Sequence, residues 1–370
     1  MNTFEYAPVI KCNRSHVAAV DQLFPKEKGR IKPIFEIPLR PSTTSIDDHL
    51  RSAMAALSSR VGGGDFFFDP YGFLPDDTVQ GHSAAQLAIV QASKLGATVI
   101  CGLENQGAST QFIARKAKET GRGLAFRVPL DLIAFESEDT WEEIFSLSGD
   151  VGLNGDEIDL LIDFRSVSDV SIDAIREQVI DFLTMRPRSF VPRTVVLIGS
   201  SALPSVSTIE KNGGSSVRRR EYDLWASIQF ELGDSYSLAY GDYGIVHPDL
   251  IISGPNKNAN GKIRYTEGPF LHYFRGHALF DPEGDGFGQY RQIAKRVVES
   301  SAYQGRGFSA GDQAIYDCAV GLHGPGNLAT WVRNDLNHHL TYVSRQIQVV
   351  KPRLIRADSL RDVNAIVSAS

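Results

Sequence analysis

Asp159-Leu160-Leu161-Ile162-Asp163-Phe164-Arg165 is a short apolar run ending in charge; a helical pattern over Ile172–Met185 follows, and then a second run, Val195-Val196-Leu197-Ile198. Neither run alternates apolar with polar, as a half-solvated strand does. Near-continuous hydrophobicity suits strands covered on both faces, as parallel strands are. The stretch reads as strand, crossover helix, parallel strand. Working outward, similar runs occur at Ala7–Ile10, Ile34–Ile37, Phe66–Asp69, Thr98–Cys101, Leu124–Val128 and Ser237–Tyr240. They recur about every 33 residues, the length of one strand, one helix and two loops.

Helical patterns fill the intervals at Ile46–Arg60, Ser83–Leu95, Thr110–Thr120 and Val217–Leu232, with a short one at Ser15–Leu23 and a weak one at Glu138–Leu147. Ser45 and Ser109 are placed as N-caps, and Gly96 and Gly121 as helix ends. Eight strands alternating with helices predict a (β/α)8 TIM-like barrel. An open doubly wound sheet is the rival, but it normally has fewer strands, and no GxGxxG follows the first strand. After Tyr240-Gly241-Asp242-Tyr243-Gly244 the pattern breaks into a Gly/Pro/Asn-rich stretch. Two strand-like pieces follow, Lys262–Thr266 and Phe270–Phe274, read as a hairpin inserted after the eighth strand. Residues 1–305 are expected to form the barrel, with the 243–276 loop and hairpin over its mouth. Residues 306–370 are expected to be a helical C-terminal extension packed on it. Within these, Gln289–Ala302 is expected to complete the outer ring, Ala310–Val320 and Leu328–Gln346 to form a helical tail, and the residues after Val350 to be a strand or extension.

The 370 residues are 42% hydrophobic and 22% charged, the usual globular mixture, which excludes a disordered or low-complexity chain. A net charge of −6 disfavours broad nucleic-acid binding. No run approaches 18 apolar residues, so no membrane span is expected. Three cysteines without CxxC spacing and a start without a basic, then apolar, leader point to a reducing cytoplasm.

In a barrel, chemistry sits where strands end. Those positions hold Lys11, Glu36, Asp69, Glu104, Arg127, Asp163 with Arg165, Ser200 with Ser201, and Asp242; the hairpin adds Arg264 and Arg275. Carboxylates alone would suggest a metal, and arginines alone an anion clamp. The mixture suits a hydrolytic site for a phosphorylated ligand, with or without a divalent ion, or equally a closed set of ion pairs that catalyses nothing. Burial of Glu36 should raise its pKa unless Lys11 or Arg127 is close. Gly199-Ser200-Ser201-Ala202-Leu203-Pro204 follows the seventh strand, where barrels often cradle phosphate; turn chemistry is the plainer reading. Arg218-Arg219-Arg220 cannot share one helix face, so a solvated helix start is the plainer reading; set against the helix dipole, the run also suits an anion nearby. His338 and His339 are adjacent on a helix, about 100° apart, and are not by themselves a two-ligand metal site. A Mg²⁺-like ion has hard oxygen donors available, but no His-x-Glu or Asp-x-Asp motif supports it.

Several motifs in order resemble the phage beta-protein family, whose bacterial members are called beta family proteins. They are Tyr6-x-Pro8-Val9-Ile10-Lys11, Ile31-x-Pro33-Ile34-Phe35-Glu36-Ile37-Pro38, Gly199–Pro204, Arg220-Glu221-x-x-Leu224-Trp225, Tyr240–Gly244, Ile263-Arg264-Tyr265-Thr266 and Arg275-Gly276. Trp331 and Asn337–Thr341 extend the resemblance toward the C-terminus. It implies no reaction; it implies a setting of phage–host conflict, and it directs attention to Lys11, Glu36, Arg220, Glu221, Trp225, Asp242, Tyr243, Arg264 and Arg275.

Two functions follow as expectations. One is a barrel-mouth hydrolase of a phosphoester or nucleotide-like anion. Glu36 and Asp242 would act as acid/base groups or metal ligands, with Asp163 in support. Lys11, Arg127 and Arg275 would hold the anion, and Ser200, Ser201, Arg220, Glu221, Tyr243 and Arg264 would complete the binding set. The other is a non-catalytic ligand sensor, or a module that binds a protein partner, using the same mouth and hairpin. A catalytic site should leave a carboxylate without a cationic partner, whereas a structural network should pair them all.

Overall fold

The computed structural model describes residues 4–59, 64–103, 110–249, 259–281 and 284–370. Glu104, Ser109 and Gly62-Gly63 lie outside them. The chain runs β1 (Val9–Lys11), α1 (Arg14–Asp21), α2 (Pro25–Lys28), β2 (Ile34–Glu36), α3 (Ile46–Ser58), β3 (Phe66–Asp69), the two-residue strands β4 (Thr78–Val79) and β5 (His82–Ser83), α4 (Ala84–Lys94) and β6 (Ala97–Gly102). It continues with α5 (Thr110–Thr120), β7 (Leu124–Pro129), α6 (Leu130–Phe135), α7 (Ser137–Asp150), β8 (Ile158–Ser166), α8 (Ile172–Thr184), β9 (Thr194–Ser200), β10 (Gly214–Arg218), α9 (Arg220–Leu232) and β11 (Leu238–Asp242). Then come β12 (Asn260–Glu267), β13 (Phe270–Ala278), α10 (Tyr290–Val298), α11 (Ala310–Ala319), α12 (Leu328–Leu354) and α13 (Leu360–Ser368).

Eight parallel strands pair in the order β1-β2-β3-β6-β7-β8-β9-β11. Tyr6 closes the circle by bridging to both Ile31 and Tyr240. The Ala7 amide donates to the Tyr240 carbonyl at 2.8 Å, and the Tyr240 amide donates to the Glu5 carbonyl at 3.0 Å. The predicted (β/α)8 barrel is the fold. Side chains alternate along each strand. Val9, Ile34, Phe67, Ala125, Leu161 and Ala239 point inward and fill the barrel. Their outward neighbours Ile10, Phe35, Phe68, Phe126, Leu160 and Tyr240 meet the helices. Gly241 is an inward position where a Cβ would come within 2.7 Å of Ile198 Cγ1, so a side chain does not fit.

The eighth outer helix departs from expectation. Gln289–Ala302 does not complete the ring. Its helix, α10, packs instead on β12, β13 and α11. Ile263, Tyr265, Tyr290, Ile293, Ile315 and Trp331 make a separate small core there. The ring is closed by α12, which lies against α1 and α9. Leu336, Leu340, Val343, Ile347, Val350 and Leu354 of α12 are buried in the main core. At roughly 2 kcal/mol per side chain this is on the order of 10 kcal/mol, an upper bound, enough to decide which helix takes the place. The residues after Val350 are not a strand: they finish α12 and form α13, which packs on α9 and α12.

The predicted helix Val217–Leu232 also divides. Gly214–Arg218 pairs antiparallel with β13, giving a three-stranded sheet β10-β13-β12, and the helix starts only at Arg220. Strand pairing captures Val217 and Arg218 before the helix can extend to them.

Candidate active site at the barrel mouth

Two residues beyond the inward-facing apolar layer, the same strand parity brings Lys11, Glu36, Asp69, Arg127 and Asp163 together inside the mouth, all buried. Arg127 is the hub. NH1 donates to Glu36 Oε2 at 2.7 Å and also to Asp69 Oδ2. Nε and NH2 donate to Asp163 Oδ2 at 3.0 and 2.6 Å, and NH2 also to the Tyr243 hydroxyl at 2.7 Å. All five guanidinium N–H donors are thereby used. The Tyr243 hydroxyl in turn donates to Asp163 Oδ2 at 2.6 Å. Lys11 Nζ pairs with the other oxygen of Glu36 and lies 5.6 Å from the centre of the Tyr243 ring.

The carboxylates differ in what this network does to them. Burial would raise Glu36, but Lys11 and Arg127 override it and hold its pKa at about 2. Asp69 goes the other way: burial, with Glu36 adding to it, raises its pKa against the pull of Arg127. Glu36 has Lys11 to itself and a share of Arg127, whereas Asp69 has only a share of Arg127. The expectation that an adjacent cation would cancel the burial effect on Glu36 is thus met by both candidate cations.

A cavity of about 200 Å³ opens on this hub, lined by Asp69, Tyr71, Leu103, Arg127, Asp163 and Arg165 among others. The Tyr71 ring lies 5.5 Å from the Arg127 guanidinium and 5.7 Å from that of Arg165. Arg165 adopts a left-handed φ of 55°, at a break in the β8–β9 register between Asp163 and Ser166. Its amide donates to Asp163 Oδ1 at 2.9 Å, which fixes the turn. The Arg165 head lies at the rim and pairs with Asp249. Tyr71 and Asp249 were not among the sequence candidates. Tyr71 follows the strand end Asp69-Pro70 closely enough to have been noticed, but no sequence signal joins Asp249 to Arg165.

Asp242 is not part of the mouth. It was expected beside Glu36, but its parity on β11 is that of Tyr240, so it points outward toward α12. Its Oδ1 accepts from the Tyr6 hydroxyl at 2.8 Å and the Gly244 amide at 2.9 Å, and its Oδ2 meets His339 Nε2 at 3.0 Å. The contacts continue from His339 Nδ1 to the Thr266 hydroxyl at 2.7 Å, and from the Thr266 carbonyl to His338 Nε2 at 2.8 Å. His338 Nδ1 then meets Asp312 at 2.8 Å. The two adjacent histidines thus tie the barrel to the small sheet. Burial keeps the His339 pKa below its ordinary value.

The remaining candidates also lie outside the mouth cavity. The Ser200 hydroxyl donates to the Val246 carbonyl at 3.3 Å and accepts from the Ala202 amide, an ordinary turn role. The Ser201 hydroxyl donates to Glu221 at 2.6 Å and accepts from the Arg220 amide. Burial, opposed by Arg219, pushes Glu221 up to about 7. Arg220 donates to the Ser168 and Val170 carbonyls, stapling the loop after β8. The anion expected near the arginine run turns out to be internal: buried Arg219 has Glu221 at 3.9 Å and the Gln346 side chain at 2.8 Å. Arg264 pairs with Asp335 at 3.1 Å and donates to the Ile245 carbonyl, and Arg275 straps the Ser207 and Ile209 carbonyls. Trp225 is buried in the core.

For a divalent ion the donor set does not fit: the guanidinium of Arg127 occupies the centre on which Glu36, Asp69 and Asp163 converge. Among the described residues no group of three or more His, Cys, Asp or Glu side chains is placed to hold a metal. No helix among them is long and apolar enough to cross a membrane.

Fold and site together define a (β/α)8 barrel protein whose mouth is built around a buried arginine. A family model described as Beta protein matches residues 6–345, and the chain belongs to that family. The family description names no reaction or ligand. No curated protein matches the chain. Solved structures that resemble it include tryptophan synthase of Mycobacterium tuberculosis, 13% identical over 65% of this chain and 84% of that one, with a TM-score of 0.30. Alanine racemase of Clostridium difficile 630 is 14% identical, over 72% and 61%, with a TM-score of 0.35. Ornithine decarboxylase of Entamoeba histolytica is 15% identical, over 73% and 66%, with a TM-score of 0.30. Likeness at this level carries nothing about activity.

Proposed function

We propose that the barrel mouth is a recognition site for a small organic anion, held at Arg165 and bound without turnover. One observation carries this reading: every described mouth carboxylate already has a cationic partner, and Arg127 has no donor left. Glu36 is therefore held ionised and enclosed, a poor general acid or base near neutral pH. Arg165 is the lining cation whose ion-pair partner, Asp249, is itself exposed, so an incoming anion displaces that pair beside the 3.4 Å bond from Arg165 to the Tyr71 hydroxyl. The Tyr71 ring, 5.5 and 5.7 Å from the two guanidinium groups, adds an aromatic wall to the cavity. A dianion such as a phosphate monoester adds more negative charge than the set of three carboxylates tolerates, which favours a single negative charge.

A hydrolytic reading rests on Asp69, which lines the cavity and whose pKa is raised by burial and by Glu36. The two readings separate in one experiment. A thermal-shift screen of carboxylates, sugar phosphates and nucleotides identifies a stabilising compound by mass action. That compound is then incubated with the protein and recovered. Binding that disappears in Arg165→Gln, with the compound recovered intact, is the expected outcome; a product whose formation stops in Asp69→Asn overturns it.

A further inference from the structure

Asp249 is 65% exposed, yet it places its carboxylate on the guanidinium of Arg165, itself one-third exposed, at the edge of the mouth cavity. Its other oxygen lies 3.7 Å from His247. A carboxylate sitting on the rim arginine is the contact that a carboxylate-bearing ligand would make. Beneath it, the cavity wall carries two more carboxylates, Asp69 and Asp163, which share one guanidinium between them. Counting the groups that face the mouth, Lys11, Arg127 and Arg165 oppose Glu36, Asp69, Asp163 and Asp249, one negative charge in excess. A simple monoanion replacing Asp249 would leave that excess in place. A zwitterion replacing it would remove the excess, because its ammonium group lies against the under-compensated carboxylates.

Resting on the recognition reading above, we propose that Asp249 stands in for the carboxylate of a small amino-acid-like zwitterion, which takes Arg165 from Asp249 and sets its ammonium against Asp69 and Asp163. The cavity, about 200 Å³, is of amino-acid size. Leu103, Pro129 and the Tyr71 face leave room for a modest apolar or aromatic side chain.

The test is titration calorimetry of the full chain with a set of free α-amino acids and with the matching acids that lack the amino group. Wild type, Asp249→Asn and Arg165→Gln are compared after each is shown to melt like the wild type. An exposed ion pair is weak, so removing Asp249 should tighten amino-acid binding by about two- to fivefold. Removing Arg165 should weaken it by about thirtyfold or more. The des-amino acids should bind less well than their amino acids. If Asp249→Asn binds no tighter than wild type while Arg165→Gln fails, the stand-in role is overturned and the recognition site remains. If des-amino acids or inorganic phosphate bind as well as amino acids, and Arg165 is still needed, the zwitterion class is overturned. If no compound binds in an Arg165-dependent way, the recognition reading falls together with it.

Discussion

At the N-terminal end of the barrel, Lys32 lies 3.5 Å from Asp65 and 3.6 Å from Asp159, and Arg193 grips Asp159 with bonds of 3.0 and 2.6 Å. Arg122 also meets Asp65, at 4.0 Å, so three cations face two carboxylates, and the Phe67 ring covers the Lys32 ammonium at 4.0 Å. At the mouth, two buried cations face three buried carboxylates, and a further arginine waits at the rim with an exposed partner. The first arrangement gives each carboxylate two cations and reads as a plug. The second is over-supplied with carboxylate, is fully bonded at its hub, and keeps a cavity beside it. The same barrel thus uses charge to close one end and to prepare the other. A second cavity, about 390 Å³, lies at the closed end, lined largely by apolar side chains such as Val17, Val20, Ile31, Phe35 and Phe66. Its size exceeds that of the mouth cavity, but polar groups converge at the mouth, and recognition chemistry follows those groups rather than volume.

The contrast predicts unequal responses to losing one arginine. Arg127→Met strands three buried carboxylates with only Lys11 to oppose them. It should cost about 3–5 kcal/mol in urea unfolding, or prevent folding. Adding Glu36→Gln and Asp163→Asn to it should restore much of the loss. A variant as stable as wild type would show that Arg127 does not hold the three carboxylates.

The pH dependence should also differ between the ends. Glu36 ionises in the folded state at about 2, below its unfolded value near 4.5. Its contribution, on the order of 3 kcal/mol, is present above pH 4.5 and is lost as pH falls toward 2. Lys32 is displaced the opposite way: burial lowers its pKa despite Asp159 and Asp65. Its charge costs stability at neutral pH, so stability should rise as pH climbs through the folded value toward 10.5. Melting curves across pH should show Glu36→Gln flattening the acid limb and Lys32→Met flattening the alkaline one. The same flattening from both variants would erase the distinction.

Two smaller effects sharpen the picture. Gly72 follows Tyr71, and a Cβ there would stand 2.1 Å from the Pro38 carbonyl oxygen. Gly72→Ala should cost about 1–3 kcal/mol and shift the Asp69–Tyr71 wall of the cavity, seen as lost ligand binding beyond the loss of stability. Arg193→Gln, at the closed end, should cost about 1 kcal/mol or somewhat more, since Arg193 is partly exposed and Lys32 still opposes Asp159. No effect on mouth binding is expected from it, and a clear one would show that the two ends are coupled.

The sequence shows the barrel because its strands are buried on both faces, so eight apolar runs stand out without any alternation to decode. It also shows the charged mouth, because Lys11, Glu36, Asp69, Arg127 and Asp163 each end such a run. Parity is what the runs hide. A continuous apolar strand does not reveal which face is inward, so Asp242 looks equivalent to Asp163 until pairing fixes their opposite directions. The place of α12 was hidden for a related reason. Its apolar stripe fits any groove, and only the small sheet's capture of α10 leaves the eighth position open. Asp249 and Arg165 are 84 residues apart, and the pair depends on a left-handed turn at an arginine, which local propensity does not favour.

On this account the mouth carboxylates are committed to Arg127 and Lys11. Carboxyl-carbon NMR of protein labelled at Glu and Asp, with Glu36→Gln to assign the Glu36 signal, reads this directly. The expected titration of Glu36 lies near 2, with the carboxyl ionised and silent from pH 4 to 8. A Glu36 signal that titrates at or above the ordinary 4.5 would show its carboxyl free of both cations and contradict the closed network.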